Sequence, residues 1–341
     1  MNQKITIYDI AELAGVSPAT VSRVIHQPDC VKESTKQKVW NAFTEAKITP
    51  DALSFKESAR KKKDSRLLPH VPTVLVCLPN WNNPFYNDIL EGIRTFLLTA
   101  GYEMIVQTKQ FTKYSVPEFL EFAASVQAAG LIIMNPLSED ILYRLKAHYP
   151  LVQCSEHNPF CQNIPYVSVD DEEISETAVS YLIQNGCKKI GFFSAPYQNQ
   201  YVQKRFLAYK TVLQAYGMPM QPDHIIQVSD FSYDRILAAA NRFFMLSEPP
   251  DAVFAVSDKH AHAVIKAGLI NGYKIPEDIR VIGFDDTMYA TLSTPTITTI
   301  HQPRRELGAE SARILLELIR HPDKPQEGIL LPAHMVWRES A

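Results

Sequence analysis

From Thr73 onward the chain alternates short apolar, β-rich runs with amphipathic stretches, and this alternation restricts its fold more than any other feature. The runs TVLVCL (73–78), MIVQ (104–107), LIIM (131–134), LVQC (151–154) and YVSV (166–169) read as strands, followed by KIGFF (189–193), HIIQV (224–228), AVFAV (252–256), RVIGF (280–284) and TTIH (298–301). Stretches of helical period fall between them at 85–100, 171–185, 203–216, 259–271 and 304–319. A strand that is apolar throughout is buried on both faces, and a helix between two such strands is the crossover a parallel pair requires. The pattern predicts an α/β core, 73–341, of two doubly wound parallel-sheet subdomains with ligand beside the strand C-termini.

The first fifty residues follow a different rule. Thr6 can cap IYDIAELA, which carries Ile7, Ile10, Leu13 and Ala14 at helical spacing, and Gly15-Val16 ends that helix. Ser17 then offers a second N-cap, with Pro18 at the first helical position, where a missing N–H costs nothing. The second helix runs through ATVSRVI. A third, about 32–46, places Val39, Phe43 and Ala46 on one face, and Pro50 marks its exit. Residues 51–72 contain the basic run Arg60-Lys61-Lys62-Lys63 and end in Pro69 and Pro72, a hinge-and-linker composition.

Charge divides the same way. Residues 1–66 hold 12 Lys/Arg against 8 Asp/Glu, and the remainder 22 against 29, so a basic head precedes an acidic body. A helix-turn-helix lays its second helix in the major groove, with side chains near its start reaching base edges. Here these are Ser17, Pro18, Ala19, Thr20, Ser22 and Arg23. The hydroxyls suit phosphate oxygens, Arg23 suits guanine and Ala19 suits a thymine methyl. Thr6 and Tyr8 stand where the first helix would cross the backbone, and His26, just after the second, is a further DNA-contact candidate. Periodicity leaves open a generic three-helix bundle in which Ser and Thr merely cap.

The run TIYDIAELAGVSPATVSRVI resembles the opening of the lactose/galactose repressor (LacI/GalR) family. NPFY (83–86), SVDD (168–171), GFDD (283–286) and TTIHQPRRELG (298–308) follow in family order, so the resemblance spans nearly the whole chain. It implies a transcriptional regulator that binds a pseudo-palindromic operator as a homodimer, helix 85–98 contributing to the dimer surface. It also implies a core like periplasmic sugar-binding proteins, with a small effector between the subdomains. Family members carry a hinge helix whose Leu wedges into the minor groove and kinks the duplex. This chain departs there: Asp51 stands where the family has Asn and Glu57 where it has the wedge Leu. Either the hinge does not kink DNA, or Leu53, one turn earlier, takes the role. Lys32 also replaces the Ser that usually caps the third helix.

On the same resemblance, the expected effector contacts are Arg205, Phe231, Ser257 and Asp285, with Phe85, Tyr86 and Glu156 as further candidates. A guanidinium donates to paired hydroxyls, a carboxylate accepts from them, and an aromatic stacks on a ring. Plainer readings stand beside these: Asp285 and Asp258 as caps, Arg205 as a surface residue, Phe231 as core. A sugar, sugar phosphate or nucleoside fits the set. No apolar run reaches the ~20 residues of a membrane span, and the first residues lack a signal-peptide core, so a cytoplasmic, nucleoid-associated protein is expected. Five scattered cysteines lack metal-ligand spacing and read as reduced and mostly buried; no cofactor or metal is expected. Neither a Walker loop, nor G-x-S-x-G, nor a strand-borne G-x-G-x-x-G is present, which argues against an enzyme of those classes. A transport solute-binding protein would share the core but not the head.

Overall fold

The computed structural model describes residues 6–26, 31–46, 48–49, 71–108, 111–112, 114–229 and 232–341. Phe231, Leu53, Asp51, Glu57, the basic run 60–63 and Cys30 lie outside these residues. The chain divides into two compact units, Met1–His70 and Val71–Ala341.

In the first unit, α1 spans Ile7–Ala14, α2 Pro18–His26 and α3 Glu33–Glu45. The Thr6 N–H and hydroxyl both donate to Asp9 Oδ2 at 2.7 Å, fixing the start of α1. Gly15, at φ +64°, ends it in the left-handed conformation that glycine adopts without a Cβ penalty. The three helices share a core of Ile10, Ala11, Ala14, Val21, Val24, Val39, Ala42 and Phe43. Leu13, expected on this face, is instead exposed, because the buried stripe of α1 runs through Ile10, Ala11 and Ala14. Lys32 supplies no side-chain cap to α3.

The second unit begins with β1 (Thr73–Cys77), α4 (Phe85–Thr99), β2 (Glu103–Gln107), α5 (Val116–Ser125) and β3 (Ala128–Ile133). It continues through α6 (Glu139–Lys146), β4 (Leu151–Cys154), β5 (Tyr166–Val169), α7 (Asp171–Gln184), β6 (Ile190–Ser194) and α8 (Gln200–Ala215). Next come β7 (Ile225–Gln227), α9 (Tyr233–Ala240), β8 (Ala252–Ala255), α10 (Asp258–Ile270), β9 (Arg280–Ile282) and α11 (Met288–Leu292). The unit closes with β10 (Thr299–His301), α12 (Arg304–Arg320), β11 (Ile329–Leu331) and β12 (His334–Val336).

One sheet is ordered β11-β5-β4-β3-β1-β2 and the other β7-β6-β8-β9, all pairs parallel. Each is packed on both faces, as the apolar runs require. In the first sheet Val74, Val76 and Ile132 face α4 and α12, while Leu75, Leu131 and Ile133 face α5 and α6. In the second, Phe193 and Val253 face α9 and α10, while Phe192 and Phe254 face α7 and α8. The chain passes between subdomains at β5–α7, at β10–α12 and at β11–β12, the last strand pairing antiparallel with β10. Helices α5, α6, α9 and α11 and strands β11 and β12 extend the pattern read from sequence; the two strands, three residues each, are too short to show a period.

Helices α4 and α12 approach backbone to backbone. A Cβ on Gly308 would lie 2.1 Å from the Ile89 carbonyl oxygen, and one on Gly92 would lie 2.0 Å from that of Arg305. Cys77, Cys154, Cys161 and Cys187 are buried and free. No helix of the described residues is long and apolar enough to cross a membrane.

Candidate functional site

On the head, the polar start of α2 is organised by its own cap. Ser17 Oγ accepts from the Thr20 N–H at 3.2 Å and shares a 2.8 Å hydrogen bond with the Thr20 hydroxyl. Val21 and Val24 turn into the core, which leaves Ser17, Ala19 and Arg23 exposed with Pro18, Thr20 and Ser22 half-buried beside them. Tyr8 is exposed on α1, and Thr6 is drawn into the Asp9 cap. His26 is the last residue of α2.

In the core, the strand C-termini of the two subdomains meet across a cleft. A cavity of about 200 Å³ lies there, walled by Pro136 and Ser138 after β3, Glu156 and His157 after β4, and Gln198 and Gln200 at the start of α8. Glu156 reaches across it: its carboxylate accepts the Gln200 N–H at 2.6 Å and also the Tyr201 N–H. A carboxylate at a helix N-terminus completes orphan donors and meets the positive end of the dipole. Burial nevertheless pushes the Glu156 carboxyl up to about 7, the two N–H donors opposing it only in part. His157 lies flat on Tyr166, ring centroids 4.0 Å apart, with its Nε2 3.4 Å from Lys204 Nζ on α8. Burial, then the Lys204 charge, pull its imidazole down to about 4, so it is neutral near pH 7.

Behind the cavity Arg205 is fully engaged. Its Nε and Nη2 donate to Asp171 Oδ1 at 2.8 and 2.7 Å, and Nη1 donates to the Val256 carbonyl at 2.5 Å. Its guanidinium lies 3.3 Å from the ring centroid of Phe284 and 4.8 Å from that of Tyr201. Asp285 Oδ1 stands 3.8 Å from Nη1, beyond hydrogen-bond reach, and accepts from Gln302 Nε2 at 2.8 Å. Burial pushes Asp285 up to about 6 against the opposing charges of Arg205 and Arg304. The phenol of Tyr86 sits among Tyr201, Glu156 and Asp285, and burial raises its pKa.

The loop carrying Asp285 is held in an unusual conformation, with φ +104° at Asp285 and +52° at Asp286. Non-glycine residues there cost about 1–3 kcal/mol each unless their surroundings over-determine them. Three groups do so. Arg304 Nη1 donates to the carbonyls of Asp285 and Asp286 while its Nε and Nη2 hold Asp88 of α4. Arg338 Nη2 holds Asp286 at 2.6 Å. Asp258 accepts from the Thr287 N–H at 2.6 Å and from the Thr287 and Thr299 hydroxyls.

Glu156, Tyr86, Arg205 and Asp285 are thus brought together. Two expectations change. Phe85 is buried in the core with Val74, Val76 and Ile89, because the first turn of α4 faces the sheet rather than the cleft. Ser257 caps α10, its Oγ 2.7 Å from His260 Nδ1 and 3.4 Å from the His260 N–H, so its hydroxyl is already occupied. Asp258 is not the cap but the buried support of the 285–287 loop. The site also draws in Asp171, Tyr201, Gln302 and Arg304; Asp171, Gln302 and Arg304 stand in the motifs SVDD and HQPRRELG, whereas nothing local in the sequence marks Tyr201.

Residues 6–51 match the model of bacterial regulatory proteins, lacI family, and residues 179–341 that of the periplasmic binding protein-like domain. Over 339 residues the chain is 29% identical to catabolite control protein A of Priestia megaterium, covering 98% of this chain and 99% of that one. It is 30% identical over 338 residues to the NTD biosynthesis operon regulator of Bacillus subtilis (strain 168), covering 98% and 99%. Among solved structures it resembles the transcriptional regulator CelR in complex with cellobiose, with a TM-score of 0.72, 26% identity and coverage of 99% and 100%.

Proposed function

The chain belongs to the lacI family of bacterial regulatory proteins and is a DNA-binding transcriptional regulator; on that premise we propose that it is a homodimeric repressor whose operator affinity is set by a small polyhydroxylated effector in the inter-subdomain cleft. The observation that carries the effector reading is the polar cavity walled from both subdomains and closed by Glu156 against the first turn of α8. An effector seated there touches both halves and biases their closure. Of the expected contacts Glu156 lines the cavity, while Arg205, Asp285 and Tyr86 stand behind it, with Arg205 held on Asp171 and the Val256 carbonyl; they are assigned to the effector once it displaces those partners. Phe231 remains a candidate for stacking on a ring. The similar structure of CelR in complex with cellobiose supports a carbohydrate class.

On the head, exposed Arg23 is assigned to a base edge, Ala19 to a thymine methyl, and Ser17, Thr20 and Ser22 to phosphates, with Pro18 fixing the approach of the backbone. Thr6, Tyr8 and His26 flank the duplex. Leu53 is the candidate minor-groove wedge in place of the Leu that Glu57 replaces. An apolar patch on α10 and α11, with Leu269, Ile270, Met288 and Leu292 exposed beside a cavity of about 330 Å³, supports self-association. Coupling is reciprocal: an effector that weakens DNA binding binds the DNA complex more weakly by the same factor.

The test is to select duplexes from a random pool with the full chain and then titrate sugars and nucleosides. The reading requires an inverted repeat whose affinity falls steeply with salt, and a metabolite that raises the thermal midpoint and changes operator affinity. A chain that enriches no duplex, or answers to no metabolite, refutes it.

A further inference from the structure

Resting on the reading of the cleft as the effector site, we infer that the site selects by charge: it excludes phosphorylated and carboxylated ligands and favours an amine-bearing polyol over its plain parent. The single acid in the cavity wall, among the described residues, is Glu156, and no lysine or arginine lines that wall. Asp171 and Asp285 lie close behind it with Arg205 between them; Asp171 raises the carboxyls of Glu156 and Asp285, and the Arg205 charge lowers both.

The two arginines behind the cavity are already committed. Arg205 has Nε and Nη2 on Asp171, Nη1 on a carbonyl, and aromatic rings against its guanidinium. Arg304 is held by Asp88 and two carbonyls. Lys204 keeps its charge, because its partner, the His157 imidazole, is neutral near pH 7, but it does not line the cavity. A phosphate needs several charged or convergent donors, and here it would meet an acid and uncharged amides.

An ammonium meets the opposite situation. It brings a cation into direct contact with Glu156, whose carboxylate otherwise bonds backbone N–H groups, and its three donors find acceptors in Glu156, the hydroxyl of Ser138 and the amide oxygens of Gln198 and Gln200. Two further buried amide atoms beside this wall, Asn135 Oδ1 and Gln153 Nε2, have no partner. Asn135 directly precedes Pro136, and the other amide atom of Gln153 accepts the N–H of Asn158, which also lines the cavity. Such orphaned groups belong to a wall built for a polar occupant. The cavity is below the ~300–1,000 Å³ of drug-sized pockets, which suits a ligand of one or two rings.

The experiment is calorimetric titration of the full chain at pH 7 with matched triplets: glucose, glucosamine and glucose 6-phosphate; adenosine, 3′-amino-3′-deoxyadenosine and AMP. In every triplet that binds, the phosphate should be at least about tenfold weaker than the parent and the amine about tenfold tighter. Glu156→Gln should collapse the amine-to-parent ratio toward one. A phosphate ester that binds as tightly as its parent overturns the inference, as does an amine preference that survives Glu156→Gln. Should that variant fail to fold, the wild-type ranking alone decides. Binding by no member of any triplet refutes the polyol-effector reading itself, and the inference falls with it.

Discussion

The carboxylate of Glu156 accepts the backbone N–H of Gln200 at 2.6 Å, so a residue two positions beyond β4 in one subdomain caps α8 in the other. The contact joins the halves of the core through a helix N-terminus rather than through a flexible side-chain pair, which fixes its geometry on both sides.

Removing that carboxylate should loosen the cleft locally. Glu156→Ala leaves two N–H donors of α8 without their acceptor, a loss of about 1–3 kcal/mol for groups that stay buried. The Gln200 and Tyr201 amides should exchange with solvent faster while those of β3 and β4 keep their rates, as hydrogen-exchange mass spectrometry would resolve. Unchanged exchange at the start of α8 would contradict the capping role.

Arg205 and Asp171 are both about 95% buried and should behave as one unit. Arg205→Ala strands a buried carboxylate and should cost about 3–5 kcal/mol, whereas Arg205→Ala with Asp171→Ala should recover part of that loss. Urea unfolding of the four proteins in the cycle reads the coupling directly. Additive costs would mean that the pair is not coupled.

Asp258 makes stability depend on pH. Burial and the neighbouring Asp285 push its carboxyl from the ordinary 3.8 up to about 8, against the donors from Thr299 and Thr287. The folded state therefore keeps a proton that the unfolded chain has already released. Its contribution is fully present below the unfolded value and is lost as pH rises toward 8 and past it. Wild-type stability should fall between pH 6.5 and 8 with a slope of up to ~1.4 kcal/mol per unit from this group. Asp258→Asn, its amide N–H₂ donating to Thr299, should flatten that slope in denaturant titrations at several pH values. An unchanged slope would assign the proton elsewhere.

Gly308 sits where α12 meets α4. A methyl group there would stand 2.1 Å from the Ile89 carbonyl oxygen and 2.9 Å from the Ile93 nitrogen, both backbone atoms that cannot rotate away. Gly308→Ala should force the helices apart and cost at least ~3 kcal/mol, seen as a lowered thermal midpoint. A midpoint equal to wild type would rule out the close approach.

Arg23 is exposed, so Arg23→Ala should leave head stability within about 0.5 kcal/mol. Operator affinity should fall by about 1–3 kcal/mol with relaxed preference at one base pair and little change in salt slope, as expected of a base contact. Fluorescence anisotropy against base-substituted duplexes would separate this from a phosphate contact, which would flatten the salt slope by about one counterion.

Local chemistry made the head legible. The Thr6 and Ser17 caps, Gly15 and Pro18 each act within four residues, so their geometry follows from their own neighbourhood. The same is true of the parallel-sheet core, where uninterrupted apolar runs such as AVFAV demand cover on both faces. Phe85 and Ser257 show where this stops. Whether the first turn of α4 faces the sheet or the cleft, and whether a hydroxyl is free or spent on a cap, depends on residues far along the chain.

From its order of residues alone, this chain determined the three helices of the head with their caps, ten of the strands, and that a helix-turn-helix precedes a two-part α/β body. Only tertiary structure decided that Arg205 is enclosed by Asp171, Phe284 and Tyr201, that Glu156 caps α8, and that Arg304, Arg338 and Asp258 hold the 285–287 loop. The reason is physical. Periodicity and capping are set by neighbours within a turn, whereas the burial and partners of a charge are set by whichever distant segments the crossing chain brings around it.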